Sequence, residues 1–254
     1  MSNKKDYEEK IGIIRTIPDE EVKSPYTPVD IFIQEGEAAY YWANKDRVEL
    51  SRAGLDEEII DDVPKRAGAC REAQSRWNRM FNQQKDAEKE WKIKSPVAYD
   101  LRDTLLHDFR FAYRKDSYLS SRVSAIGEDA GHSDMIQDLN DLSVLGKANP
   151  EPLKAIGFDM SLLDEAARVS DEMASLLTKV NGERKSSNTA RIIRDKSYMH
   201  LKEAVDEIRE YGKYVFWRDE ERLQKYSSEY TRKINQRRSK PEEPESMEDV
   251  PGIS

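Results

Sequence analysis

Cysteine is almost missing from this chain. Cys70 is the only one in 254 residues, which excludes an internal disulfide or a CxxC metal site. Long apolar runs are missing too: the densest, from Ala38 to Ala43, is six residues, against the ~20 that a helix needs to span a bilayer. The opening residues, Met1 to Lys10, hold no apolar signal core, so a cytoplasmic setting without membrane contact is expected. Strand-like alternation is absent, and with it any expectation of sheet. There is no Gly-rich phosphate loop, Ser/His/Asp arrangement or catalytic-cysteine context. Positive charge is not in excess either. The net charge of −8 argues against generic binding of nucleic acid or anionic membrane and leaves only local basic patches.

Histidine is scarce: His107, His132 and His200. A di-iron helical bundle needs Glu-x-x-His pairs, and no Glu stands three residues before any of them, so no metal and no cofactor are expected.

Proline is absent between 65 and 95, between 97 and 149, and between 153 and 240. Because proline breaks helix interiors and favours first turns, these gaps admit long helices. Residues 1–26, with scattered Ile11, Ile13, Ile14 and Ile17, read as a loose arm. Thr27-Pro28 starts a helix that runs to about Arg52, with Gly54 as its stop. Through the helix expected over 64–92 and the residue before it, Val63, Cys70, Trp77, Gln84 and Trp91 recur at one heptad position and Arg66, Ala73, Met80 and Ala87 at another. This is a narrow, coiled-coil-like seam on a helix about 45 Å long.

Ser95-Pro96 reads as a fresh cap and start, after which Ala98, Leu105, Ala112, Leu119 and Ile126 recur every seven residues. Gly131 opens a shorter helix to about Leu145, and 146–157 is a turn-rich connector. A fourth long helix carries Leu163 to Val180, closed by Asn181-Gly182. A fifth runs from about Ala190 to Arg238, with a slip in spacing between Val215 and Leu223 that marks a kink or break. Residues 240–254, with Glu242, Glu243, Glu245, Glu248 and Asp249 among three prolines, read as a disordered acidic tail. The expected fold is all-α: an elongated antiparallel bundle of about five long helices plus a short one, as a single domain over 27–239.

Three stretches carry a resemblance: 101–114 (from Leu101-Arg102-Asp103 to Ala112-Tyr113-Arg114), 131–139 (Gly131-His132-Ser133-Asp134 onward) and 211–220 (Tyr211-Gly212-Lys213-Tyr214 onward). Together they resemble a group of helical proteins of Bacteroidetes bacteria with no assigned activity. That resemblance covers most of 28–238 and implies a helical fold in a bacterial cytoplasm.

Arg-Asp followed by histidine occurs twice, as Arg102-Asp103 before His107 and as Arg194-Asp195 before His200. Both resemble the Arg-x(4–6)-His motif of the HEPN superfamily. The resemblance implies metal-independent RNA cleavage, with Arg102 stabilising phosphate charge and His107 moving a proton. On a regular helix, however, Arg102 and His107 point about 140° apart.

Two further patches stand out. Tyr211, Tyr214, Phe216, Trp217, Tyr226 and Tyr230 are interleaved with Arg218, Arg222 and Lys225. Arg232, Lys233, Arg237, Arg238 and Lys240 crowd a helix end, where cations suit the dipole or could hold phosphate. The reading that follows is a non-enzymatic interaction or scaffold protein that presents helix faces to a protein partner or to itself. Tyr40, Tyr41, Trp42, Tyr214 and Trp217 are its expected anchors, since Tyr and Trp dominate such contacts. The alternative is a ribonuclease using Arg102 and His107.

Overall fold

The computed structural model describes residues 2–238. The acidic segment 240–254 lies outside the described residues. Among those described there are helices and no strand: α1 (Asn3–Thr16), a 3-10 turn (Asp19–Glu21), α2 (Val29–Lys45), α3 (Arg47–Arg52), α4 (Glu57–Ala112), α5 (Ser117–Ile126), α6 (His132–Ala148), α7 (Pro150–Ala155), α8 (Ser161–Val215), α9 (Glu220–Lys225) and α10 (Glu229–Arg238). None is long and apolar enough to cross a membrane. The all-α expectation holds.

Helix boundaries depart from the sequence expectation at Pro96 and Gly182, where two long helices continue. Ser95-Pro96 does not start a helix, because α4 runs through it for 56 residues. Pro96 costs the bond to the carbonyl four residues back, but it sits on the exposed side of the helix. Ala87 before it and Ala98 and Leu105 after it are all buried, and that packing outweighs the lost bond. Asn181-Gly182 likewise does not end α8, which is 55 residues long. A mid-helix glycine costs only about 1 kcal/mol, and ion pairs from Lys179 to Glu90 and from Arg184 to Glu88 hold both sides of it to α4. The expected break after Val215 is present, with α9 and α10 following.

The chain divides into two compact units, one of residues 1–76 and 191–254, the other of 77–190. In the second unit, α4 and α8 lie antiparallel, tied by Lys94 to Glu172 at 2.7 Å. Leu105, Phe109 and Tyr113 of α4 meet Leu139 and Leu142 of α6 and Leu163 of α8 in its core. Gly146 lets α6 approach closely, since a Cβ there would fall 2.7 Å from Leu163 and 2.8 Å from Phe109.

In the first unit, 57–76 of α4 lies antiparallel to 191–215 of α8, with Arg66 donating to the His200 carbonyl at 2.7 Å. Phe32 and Ile33 of α2, Ile60 and Val63 of α4 and Leu201, Val205 and Ile208 of α8 fill the core. Residues 1–26 are not a loose arm. Tyr7, Ile11 and Ile14 fall one helical turn apart and pack α1 against Ala69, Ala73 and Ile193. Lys10 reaches Asp62 at 2.5 Å, and Arg76 lies 4.1 Å from the Tyr7 ring centre. Ile14 is fully buried, so Ile14→Ala is expected to destabilise the protein by about 2 kcal/mol, read as a lower thermal midpoint. An unchanged midpoint would mean that α1 contributes no packing.

Candidate functional site: a groove beside α2

Helix α2 has two working faces. Val29, Phe32, Ile33, Gly36, Ala39 and Ala43 form the buried one. Ile31, Gln34, Glu35, Ala38 and Trp42 recur at helical spacing along a second face, which lines a cleft of about 710 Å³ whose opposite wall is α9 and α10.

That opposite wall is held by two carboxylates of the α2 region, Glu35 and Asp46. Glu35 accepts hydrogen bonds from the Arg209 guanidinium at 2.8 Å, from Ser228 Oγ at 2.9 Å and from the Tyr230 amide at 2.9 Å. The Glu35 side chain is only 10% exposed. Burial would raise its pKa, but these three donors outweigh it and hold the carboxyl below its usual range. Glu35 thereby satisfies an orphan amide in the first turn of α10. Ser228 Oγ takes another, accepting from the Thr231 amide at 3.1 Å.

Asp46, at the junction of α2 and α3, is 5% exposed. It accepts from the Tyr226 hydroxyl at 2.8 Å and pairs with Arg222. Tyr226 is fully buried and stacks on Phe216, and Arg222 lies 4.0 Å from the Phe216 ring centre. Gly212 makes this possible, because a Cβ there would lie 2.1 Å from the Tyr226 ring. Asp219 caps α9 by accepting from the Arg222 amide at 3.0 Å.

The groove floor is apolar, and its lining carries five cations (Arg209, Lys225, Arg232, Lys233 and Arg237) against three acids (Glu35, Glu221 and Glu229). Ile31, Ala38, Trp42, Tyr230 and Ile234 line it together with Lys225, Lys233 and Arg237. Lys225 Nζ sits 4.3 Å and Lys45 Nζ 5.0 Å from the Trp42 ring centre. Helix α10 buries no residue completely, so its seat rests on the polar contacts of Glu35 and Ser228. A second cleft of about 510 Å³, lined by Tyr26, Phe32, Tyr198, Lys202 and Lys213, shares Glu35, Arg209 and Arg232 with the first.

The structure separates the five expected anchors. Trp42 lines the groove, and Tyr41, 52% exposed, meets its ring edge-on at 5.0 Å. Tyr40 packs against the core. Tyr214 and Trp217 are 72% and 63% exposed, and among the described residues no ring contact joins them to the α2 aromatics. Arg218 lies over Trp217 at 4.2 Å.

Glu35, Asp46 and Gly212 carry no local motif, and the partners of the two acids lie 174 to 195 residues away. Of the basic segment, Arg232, Lys233 and Arg237 line the groove, Arg238 is exposed, and Lys240 lies outside the described residues.

Arg102 is engaged elsewhere. It pairs with Asp103 at 2.9 Å and with Asp138 at 3.4 Å. His107 is exposed, on the side of α4 away from the buried Leu105 and Leu106. Burial pushes the Asp138 carboxyl up to about 6 in spite of Arg102. Tyr99 Oη sits 2.9 Å from His132 Nδ1, and Trp91 meets the same imidazole edge-on at 4.8 Å. In the second motif Arg194 pairs with Asp195 at 2.5 Å, and His200 is buried with no partner for Nε2. No group of metal-holding side chains occurs among the described residues. Burial pushes the Cys70 thiol up to about 12, leaving it un-ionised and unreactive at neutral pH.

Comparison of the chain with protein-family models, with curated proteins and with solved structures finds no match.

Proposed function

We propose that this protein is an interaction module whose docking surface is the groove between α2 and α10, and that its partner is a protein presenting an amphipathic helix or strand with acidic flanks. One observation carries this reading. Ile31, Ala38 and Trp42 line one wall of the same cleft that Tyr230 and Ile234 line from the other. An apolar floor with an aromatic anchor and a polar rim is the usual make-up of a helix-accepting groove.

The cations favour an acidic occupant. Lys225 and Lys233 are each shared with a glutamate of their own helix, Glu221 and Glu229; the Lys233 pair is exposed on both sides and such pairs are worth little, so Lys233 can turn to a partner carboxylate at small cost.

The reading is tested by affinity capture from the cell of origin with the wild-type chain and with Ile234→Asp. Ile234 is only half-buried, so the variant keeps its fold, verified by thermal unfolding. A partner that binds the wild-type chain and loses at least tenfold in affinity for the variant, once both are purified, supports the groove. Equal binding of both forms would remove it.

A further inference from the structure

The chain itself carries a segment with the chemistry that this groove takes. Beyond the described residues, 242–250 reads Glu-Glu-Pro-Glu-Ser-Met-Glu-Asp-Val, with five acids, Met247 and Val250. It begins four residues after Arg238, the last residue of α10, and α10 forms one wall of the groove. A ten-residue helix is about 15 Å long, whereas nine residues of extended chain reach about 30 Å. The segment is thus long enough to turn back along α10 and lay its acids beside Arg237, Lys233 and Lys225. Tethering over so few residues gives an effective concentration in the millimolar range, so weak intrinsic affinity suffices. The charge balance agrees: α10 alone carries Arg232, Lys233, Arg237 and Arg238 against Glu229, a basic strip on a chain of net charge −8.

We infer that the acidic segment 242–250 is a ligand of the α2–α10 groove in cis, competing there with the protein partner. This rests on the docking reading above, whose groove it shares, and adds to it a built-in competitor. The segment offers what the partner offers, carboxylates for the rim and two apolar side chains for the Trp42 floor. The competition is electrostatic, so it weakens as salt rises. Neutralising the segment should then expose the groove and strengthen partner binding.

The experiment uses the full chain. Gln34, exposed in the groove wall, is replaced by the photo-cross-linking residue p-benzoylphenylalanine, with the same replacement at Glu58, which is exposed and lines a different cleft, as control. Purified protein is irradiated at micromolar concentration, and intrachain links are mapped by mass spectrometry.

The expected result is a link from position 34 into 239–254, independent of protein concentration and absent from position 58. Replacing Glu242, Glu243, Glu245, Glu248 and Asp249 by their amides should lower its yield at least fivefold, as should 0.5 M salt. No link into 239–254, or a yield indifferent to both charge and salt, overturns the inference. Partner capture separates the two readings. Capture sensitive to Ile234→Asp without the intrachain link sinks the cis ligand alone, whereas the link without such capture sinks the docking reading alone.

Discussion

Gly212→Ala is expected to lower unfolding stability by about 4 kcal/mol, although an alanine is ordinarily the better helix residue. The added Cβ would stand 2.1 Å from the base of the Tyr226 ring, not from a flexible side-chain end, so the ring must leave its place. Overpacking of this kind costs about 1–3 kcal/mol. The displaced hydroxyl also abandons the buried Asp46 carboxylate, and a hydrogen bond to a charged group is worth about 1.5–3 kcal/mol. Gly182→Ala is the matched control. Gly182 lies within α8 with nothing inside 4 Å of its would-be Cβ, so there the change should stabilise by up to about 1 kcal/mol. Urea unfolding of the two variants reads the contrast directly. A Gly212→Ala chain as stable as the wild type would mean that the Phe216–Tyr226–Asp46 closure is not formed.

The second large effect is on pH. His200 is 5% exposed. Burial, aided by the Arg66 and Lys10 charges and opposed by Asp62 and Glu203, depresses its pKa from 6.5 to about 4. A folded-state pKa below the unfolded value means that the unfolded chain binds the proton more tightly. Stability that is fully present above pH 6.5 is therefore lost as pH falls toward 4. The gap corresponds to about 3 kcal/mol in all, of which about 2 kcal/mol is gone by pH 5. Asp138 in the other unit, raised to about 6, acts in the opposite sense and gains stability over the lower part of the same range.

His200→Leu fills a similar volume without a titrating group. Unfolding at pH 7.5 and pH 5 should show the wild-type chain losing about 2 kcal/mol more than this variant does. Identical pH responses would show that His200 is solvated in the folded state.

The sequence made the fold class plain and some of the packing with it. Val63, Cys70, Ala73 and Ala87 of the expected seam are all buried, because a heptad stripe is a property of neighbouring residues on one helix. The break after Val215 was readable for the same reason. Pro96 and Gly182 misled because the apolar residues on either side decide whether a helix continues, and that decision is made in the core. Tyr7, Ile11 and Ile14 did carry a helical spacing, but on too short a stretch to stand out from the isoleucines around it.

Of the groove, one wall was half legible: Trp42 is conspicuous in any sequence. The rest was hidden in ordinary polar residues. Glu35 looks like one more solvated glutamate on α2 until Ser228 and Tyr230, almost two hundred residues on, arrive to bond to it. Asp46 looks like a plain helix terminus until Tyr226 and Arg222 close over it.

Hydrogen–deuterium exchange of the purified protein, alone and with its captured partner, tests the docking surface most directly. The account predicts slowed exchange at the second face of α2, around Ile31 to Trp42, and in α10 around Tyr230 to Arg237, with the α4 stretch holding Arg102 and His107 unchanged. Protection confined to Tyr214 and Trp217, or to residues 77–190, with the α2 and α10 walls exchanging as in the free protein, would contradict it.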